Sequence, residues 1–332
     1  MKVRVIRGGE LGSAEEELWS RIQSFNAQFA SPYFSPHYAR ALAATRDDCF
    51  VGVLEDGARP FGFFPFHLKA PGVAGPAIQR LSDYEGVIAN PEAEWTAEEV
   101  LAGCGLSSWD FLVLLESQLQ FRRYHRATLQ SPILDLSAGF ESYANDIRRR
   151  GSRMIEKLQT QRRVMERDLG PIRYQSHVPG SAALGWFMAC KSAHYRRTGF
   201  PDHFQKAWFR GLVERIHDTQ LEDFAGVLSV LQAGDTIVAM HFGVRSRTAW
   251  HYWFPCYDTQ FGKYSPGLIL LLEMARSAPS LGLRHIDLGR GITPYKVRFG
   301  NGGIALAEGT VSLSHPSQNQ PSTQASQSSA AS

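Results

Sequence analysis

Hydrophobic and polar positions change period several times along the chain, and each change marks an element. Residues 2–6 alternate as a strand does. Residues 13–29 predict a helix, with Ser13 as N-cap and Glu16 closing a capping box. Phe50–Leu54 and Phe61–Leu68 are apolar runs separated by a Gly-containing turn, a hairpin signal. Tyr84–Ile88 and Phe111–Leu115 read as short strands, with a helix over Glu92–Leu101 between them.

The character shifts at residues 140–169. Ile147, Met154, Leu158, Met165 and Leu169 form one apolar stripe at helical spacing, and Gly151 is a weak point in it. The remaining surface is basic, from Arg148, Arg149 and Arg150 to Arg167. Beyond it come a strand at Ile172–His177, two helices (Ala183–Arg197 and Phe204–Thr219), and three strands (Ala225–Leu231, Thr236–Val244 and Thr248–Phe254). A helix from Pro266 to Ala278, a strand at Arg284–Leu288 and a last strand region at Ile304–Leu313 follow. After Ser314 the chain is Ser, Gln and Ala, a composition expected to be disordered.

Composition adds limits. In 332 residues, 43% are hydrophobic and 20% charged, which suits folded domains, two by length. A net charge of +3 gives no support for extended DNA or RNA contact. Cys49, Cys104, Cys190 and Cys256 are scattered, so neither a disulfide framework nor a metal site is expected, and a cytoplasmic setting is the simplest. The first residues hold no apolar run, so a secretory signal is not expected, and no run approaches membrane-spanning length.

The densest chemistry lies between Trp250 and Gly300. A strand passes through Pro255 into a loop holding Lys263, Tyr264, Ser265, Pro266 and Gly267, which opens a helix. The unpaired first-turn N–H groups and the helix dipole make such a start an anion site, although an ordinary capped helix fits the same spacing. Pro255 either ends a strand or marks where two strands part. Asp287 closes the next strand, where it is placed either as a base or as a cap on the Gly289–Gly291 turn. His241, on a predicted strand, is the other candidate base or a structural residue.

This order of elements, with the basic helix, Tyr257-Asp258, Ser265–Gly267, Asp287–Gly289 and Tyr295-Lys296, resembles the GNAT acyltransferases. More narrowly it is similar to the CelD-like group associated with cellulose and exopolysaccharide production, related in build to FemAB transferases. The strict glycine-rich pyrophosphate signature of many GNAT enzymes is absent, and Ser265–Gly267 stands in its place. The resemblance implies an α/β fold of two GNAT-like mixed-sheet domains in tandem, joined by a long basic helix. The implied boundaries are 1–138, a linking helix 139–170, a C-terminal acyltransferase domain 171–313 and a tail 314–332.

It also implies acyl-CoA as co-substrate, held at Lys263–Gly267, and Tyr295 as the acid that protonates the leaving thiolate; a buried core tyrosine is the competing reading. Lys296, His194, Tyr195 and Arg149 are placed toward the acceptor, and the base stays open between Asp287, His241 and a water. The implied reaction is acyl transfer to an amine or hydroxyl of a small molecule or a glycan or cell-envelope precursor; the alternatives are a FemAB-type aminoacyl-tRNA-dependent transferase and a non-catalytic GNAT-like component of exopolysaccharide assembly. The basic helix leaves three readings open: a solvated face, a grip on phosphate (tRNA included), or peripheral contact with an anionic membrane.

Overall fold

The computed structural model describes residues 1–76 and 82–313, so the Ser/Gln-rich tail lies outside the described residues. The N-terminal half runs β1 (Lys2–Arg7), α1 (Ser13–Phe25), α2 (Pro36–Ala43), β2 (Cys49–Asp56), β3 (Arg59–Ala70), β4 (Val73–Gly75), β5 (Ile88–Ala89), α3 (Ala97–Gly103), β6 (Ser108–Leu115) and β7 (His125–Asp135). There follow α4 (Phe140–Arg149), α5 (Met154–Leu169), β8 (Ile172–Gln175), α6 (Ser181–Thr198), α7 (Ala207–Asp218), β9 (Phe224–Ala233), β10 (Thr236–Ser246) and β11 (Ala249–Tyr257). The chain ends through α8 (Pro266–Ser277), β12 (His285–Asp287), α9 (Pro294–Phe299) and β13 (Gly302–Ser312).

Twelve of these strands form one path, β1-β2-β3-β4-β6-β13-β7-β12-β11-β10-β9-β8, with β5 on β3. The fold is α/β, two mixed-sheet halves fused edge to edge. The fusion has a simple cause. β7 pairs with β12 on one side and β13 on the other, so the strand that ends the first half carries the second. β13, read from the sequence as the end of the C-terminal unit, inserts between β6 and β7 of the first half. One apolar core spans both halves on one face, where Trp19, Phe187, Phe209 and Phe242 are fully buried. α4, α5 and α8 close the opposite face of the second half over Trp250, Tyr252 and Ile286.

The expected long basic helix is two helices. Gly151 takes φ +77° and ends α4 in a Schellman motif, with Gly151 N donating to Arg148 O at 2.9 Å and Ser152 N to Ile147 O at 3.3 Å. Ser152 Oγ then accepts Met154 N at 3.3 Å and starts α5. The first helix also departs from expectation. Its N-cap is Gly12, whose N–H is accepted by Glu15 Oε2 at 2.9 Å, so Ser13 already lies inside it.

Candidate functional site

The second half is built around an interrupted pairing. β11 and β12 run parallel for three residue pairs, Ala249–His285, Trp250–Ile286 and His251–Asp287. Past Asp287 the chain keeps to β7, with Leu288 N donating to Pro132 O at 2.9 Å and Gly291 N to Gln130 O at 3.1 Å. β11 instead stays on β10 to Tyr257. The strands therefore part, and β11 continues for six residues, about 20 Å, without a partner on that side among the described residues. Pro255 does not end β11. It lies opposite His241 within it, brings no N–H to the parted edge, and its carbonyl accepts the Lys191 ammonium at 2.8 Å. Burial pushes that lysine down to about 8.

The closed end of the gap holds a cluster of ionisable groups from both halves. Asp287 is buried; its carboxylate accepts Ser131 Oγ at 2.5 Å, Gly289 N at 2.8 Å and the Tyr84 hydroxyl. His251 is fully buried beside it. Its Nε2 donates to Asp83 Oδ2 at 2.8 Å, while Nδ1 stands 3.8 Å from Asp287 Oδ2, an ion-pair distance beyond hydrogen-bond reach. Burial alone would lower the His251 pKa, but the two carboxylates outweigh it and raise it to about 9. Burial likewise opposes the charge of Asp287, but the His251 cation and the two hydroxyl donors hold it below the usual carboxylate range. Asp83 is the open end of the cluster, with its side chain 15% exposed.

Tyr295 and Lys296 border this cluster. Burial pushes the Tyr295 phenol up to about 12, with Asp83 adding to the effect, and its hydroxyl makes no hydrogen bond among the described residues. Lys296 is buried, with its ammonium on Gly289 O and Arg290 O, both at 2.9 Å. That closes the Gly289–Gly291 turn against α9. Burial lowers the lysine's pKa, while Asp83 and Asp287 act to raise it.

At the other end of the gap Ser265 adopts φ +56°, ψ +50°, and its carbonyl accepts the N–H of Leu268 (3.0 Å) and Ile269 (3.1 Å). Pro266 has no N–H, and Gly267 N has no partner among the described residues, which leaves a free donor at the helix start. A Cβ at Gly267 would lie 3.4 Å from the Tyr257 ring, so the end of β11 and the start of α8 touch. Lys263 is exposed here, its ammonium 4.7 Å from the Tyr264 ring centroid. Tyr264 itself is buried and its hydroxyl is committed to Asp168 at 2.8 Å.

The remaining residues singled out in the sequence lie elsewhere. His241 is fully buried and stacked on Tyr252 (centroids 4.3 Å apart), with neither ring nitrogen hydrogen-bonded. Burial, with the charges of His251 and Lys191, lowers its pKa far below the ordinary value, so it is neutral. His194 lines a cleft with Arg197, Cys190, Cys256 and Tyr257. Tyr195 packs under the Lys191 ammonium at 4.9 Å and on Phe204. Arg149 is exposed and paired with Asp146 on its own helix at 3.3 Å. In the first half, Asp48, Cys49 and His67 gather potential metal-ligand atoms within 4.8 Å. Both sides of the Asp48 carboxylate are already taken by the Arg46 guanidinium, and burial pushes the Cys49 thiol up to about 12.

In the sequence, His251, Asp83, Tyr84 and Ser131 have no context that distinguishes them. A parallel register sets His251 beside Asp287, and Asp83, Tyr84 and Ser131 arrive from the first half.

Residues 152–297 match the family profile of the acetyltransferase (GNAT) domain. No curated protein matches the chain by sequence. Among solved structures, FemX superposes with a TM-score of 0.61 at 8% identity, covering 89% of this chain and 94% of its own. The C-terminal domain of a putative lysylphosphatidylglycerol synthetase from Agrobacterium fabrum gives 0.55 at 12% identity, covering 90% and 92%. A tandem GNAT protein from the clavulanic acid biosynthesis pathway gives 0.51 at 8% identity, covering 94% and 98%. At these identities the likeness is one of fold, a tandem GNAT-like arrangement.

Proposed function

We propose that this chain is an acyltransferase of the GNAT type that moves an acyl group from acyl-CoA to an amine or hydroxyl of a sugar, polysaccharide or cell-envelope precursor. One observation carries the reading: two parallel strands part at a buried Asp287–His251–Asp83 cluster, and a helix start with a free N–H stands at the far end of the gap. The profile match over residues 152–297 supports it, since β11, α8, β12 and most of α9 fall inside that range.

In this reading the donor's phosphates lie against Gly267 N–H and Lys263. The acyl arm follows the unpaired edge of β11 toward His251. Asp83, the only member of the cluster with an exposed edge, accepts the proton of the attacking amine or hydroxyl, while His251 and Asp287 fix its position. Asp287 itself, with its charge favoured and its oxygens engaged, serves as a positioning residue and not as the base. Tyr295 delivers a proton to the departing thiolate, its hydroxyl being uncommitted and protonated at neutral pH. The second half works as the donor domain, and the first half brings Asp83 and Tyr84 to it. Isothermal titration with acetyl-CoA and with longer acyl-CoA tests the reading; it stands if one binds and fails if none does.

A second reading replaces acyl-CoA with an aminoacyl-tRNA, as the FemAB relationship implies. Arg153, just before α5, and Lys157 and Arg163 on it favour it, because they are exposed and make no salt bridge among the described residues. Charge reversal of these three would abolish tRNA retention if that reading holds and leave acyl-CoA binding unchanged if it does not.

A further inference from the structure

At the closed end of the gap three rings meet edge to face. Tyr33 precedes α2 on a short turn of the first half; its ring centroid is 4.8 Å from that of His251 and 6.0 Å from that of Trp253, both on β11. All three side chains are more than nine-tenths buried, at 4%, 0% and 8% exposure. Each carries a polar atom with no hydrogen-bond partner among the described residues: Tyr33 Oη, His251 Nδ1 and Trp253 Nε1. The indole N–H can only donate. Burial, with Asp83 next, holds the Tyr33 phenol well above its ordinary value, so it is protonated at neutral pH and can donate as well. His251, flanked by two carboxylates, donates too.

Buried donors without acceptors are rare, and each costs free energy while it stays unpaired. Three in residues joined through Tyr33, with His251 and Trp253 no more than two residues from where β11 and β12 part, define a site rich in donors. Such donors take an electron-rich oxygen.

We propose that Tyr33 and Trp253 hold the oxygen of the reacting acyl carbonyl, with the His251 cation behind them, so that the oxyanion pocket is built from side chains of both halves. The inference rests on the acyl-transfer reading. The nucleophile's lone pair forms a bond to the carbonyl carbon, and the π pair moves onto the oxygen between these donors. The nucleophile's proton passes to Asp83. The pair then returns, the C–S bond breaks, and the thiolate leaves with a proton from Tyr295. Donors fixed before the charge develops stabilise it without reorganisation.

The test uses two readouts on the full chain. With the indole nitrogens of the seven tryptophans labelled and the Trp253 signal assigned from Trp253→Phe, the protein is titrated with a ketone analogue of acetyl-CoA, which keeps the carbonyl, and with free CoA, which lacks it. The expected result is a downfield shift of the Trp253 N–H signal with the ketone and not with CoA. In parallel, thiol release from acetyl-CoA is followed with hydroxylamine as a small stand-in nucleophile. Tyr33→Phe and Trp253→Phe are each expected to lower kcat about 10- to 100-fold with KM within about threefold. Equal shifts with both ligands, or variants with unchanged kcat, overturn the proposal and leave these donors to ordered water. If wild type binds neither CoA nor the analogue, the acyl-CoA reading fails first, and that outcome is distinguishable because it precedes any variant.

Discussion

Asp287→Asn puts the buried cluster to its most demanding test. The substitution keeps the shape and one carbonyl oxygen but removes the charge that faces His251 at 3.8 Å and accepts Ser131, Tyr84 and Gly289. Removing one partner of a buried ion pair typically costs about 3–5 kcal/mol, because the other charge stays buried. Here Asp83 still holds Nε2, so the lower end, about 3 kcal/mol, is expected at pH 7. The linkage gives an independent figure of similar size. His251 is raised from 6.5 to about 9 in the fold. At about 1.4 kcal/mol per pH unit, that is roughly 3 kcal/mol of stability. Because the folded pKa is the higher one, this contribution is complete below about pH 6.5 and is lost as pH rises through about 9. Asp287, depressed in the fold, acts with the opposite sign: its contribution is present above the ordinary Asp range and is lost in acid. Urea denaturation of wild type, Asp287→Asn, His251→Asn and the double variant, at pH 6 and pH 9, measures both effects. The expected coupling between the two sites is about 2 kcal/mol or more at pH 6 and smaller at pH 9. Additive single effects with no pH dependence would refute the ion pair.

The other predictions are simpler. Tyr295→Phe should lower kcat for thiol release about 10- to 100-fold with KM within about threefold and no loss of thermal stability, since its hydroxyl makes no hydrogen bond among the described residues; unchanged kcat removes it as the acid. Lys263→Ala should weaken acyl-CoA binding about three- to tenfold, less at high salt, with stability unchanged, because the side chain is exposed and its charge is screened. Lys191→Met should stabilise the protein by about 1 kcal/mol at pH 6, since a buried ammonium is replaced by an apolar chain of similar length. The Lys191 pKa falls from 10.5 to about 8 in the fold, so wild type regains stability as pH rises from about 8 to 10.5, and the gap between the two proteins should close over that range. A gap that widens would contradict the burial of a charged amine.

Much of the second half is legible in the sequence because its signals are local. The β9–β11 strands, the Pro266 helix start and the placing of Asp287 and Tyr295 need only runs, turn residues and order. The choice between His241 and His251 was not legible. β9, β10 and β11 are buried on both faces nearly throughout, so no polar alternation tells which face a histidine takes. His241 faces Tyr252 under α8 and is sealed, while His251, on the opposite face, meets Asp287 only through a parallel register set by residues 36 positions away. Asp83, Tyr84 and Tyr33 belong to the first half, and nothing in their neighbourhood marks them as partners of residues near 251 and 287. The apolar stripe passes from Ile147 to Met154 in register and so reads as a single long helix; Gly151 is the signal against it, and its positive φ breaks the helix. β13 reads as part of its sequence neighbours' unit because strand insertion between β6 and β7 leaves no trace in residue pattern.

Hydrogen exchange of the full chain with and without acyl-CoA most directly tests whether the gap between β11 and β12 is the donor site. Slowed exchange is expected at Trp253–Tyr257 and at Gly267–Ile269, with little change in β1–β3 of the first half. Protection confined to the first half, or absent altogether at saturating acyl-CoA, would contradict it.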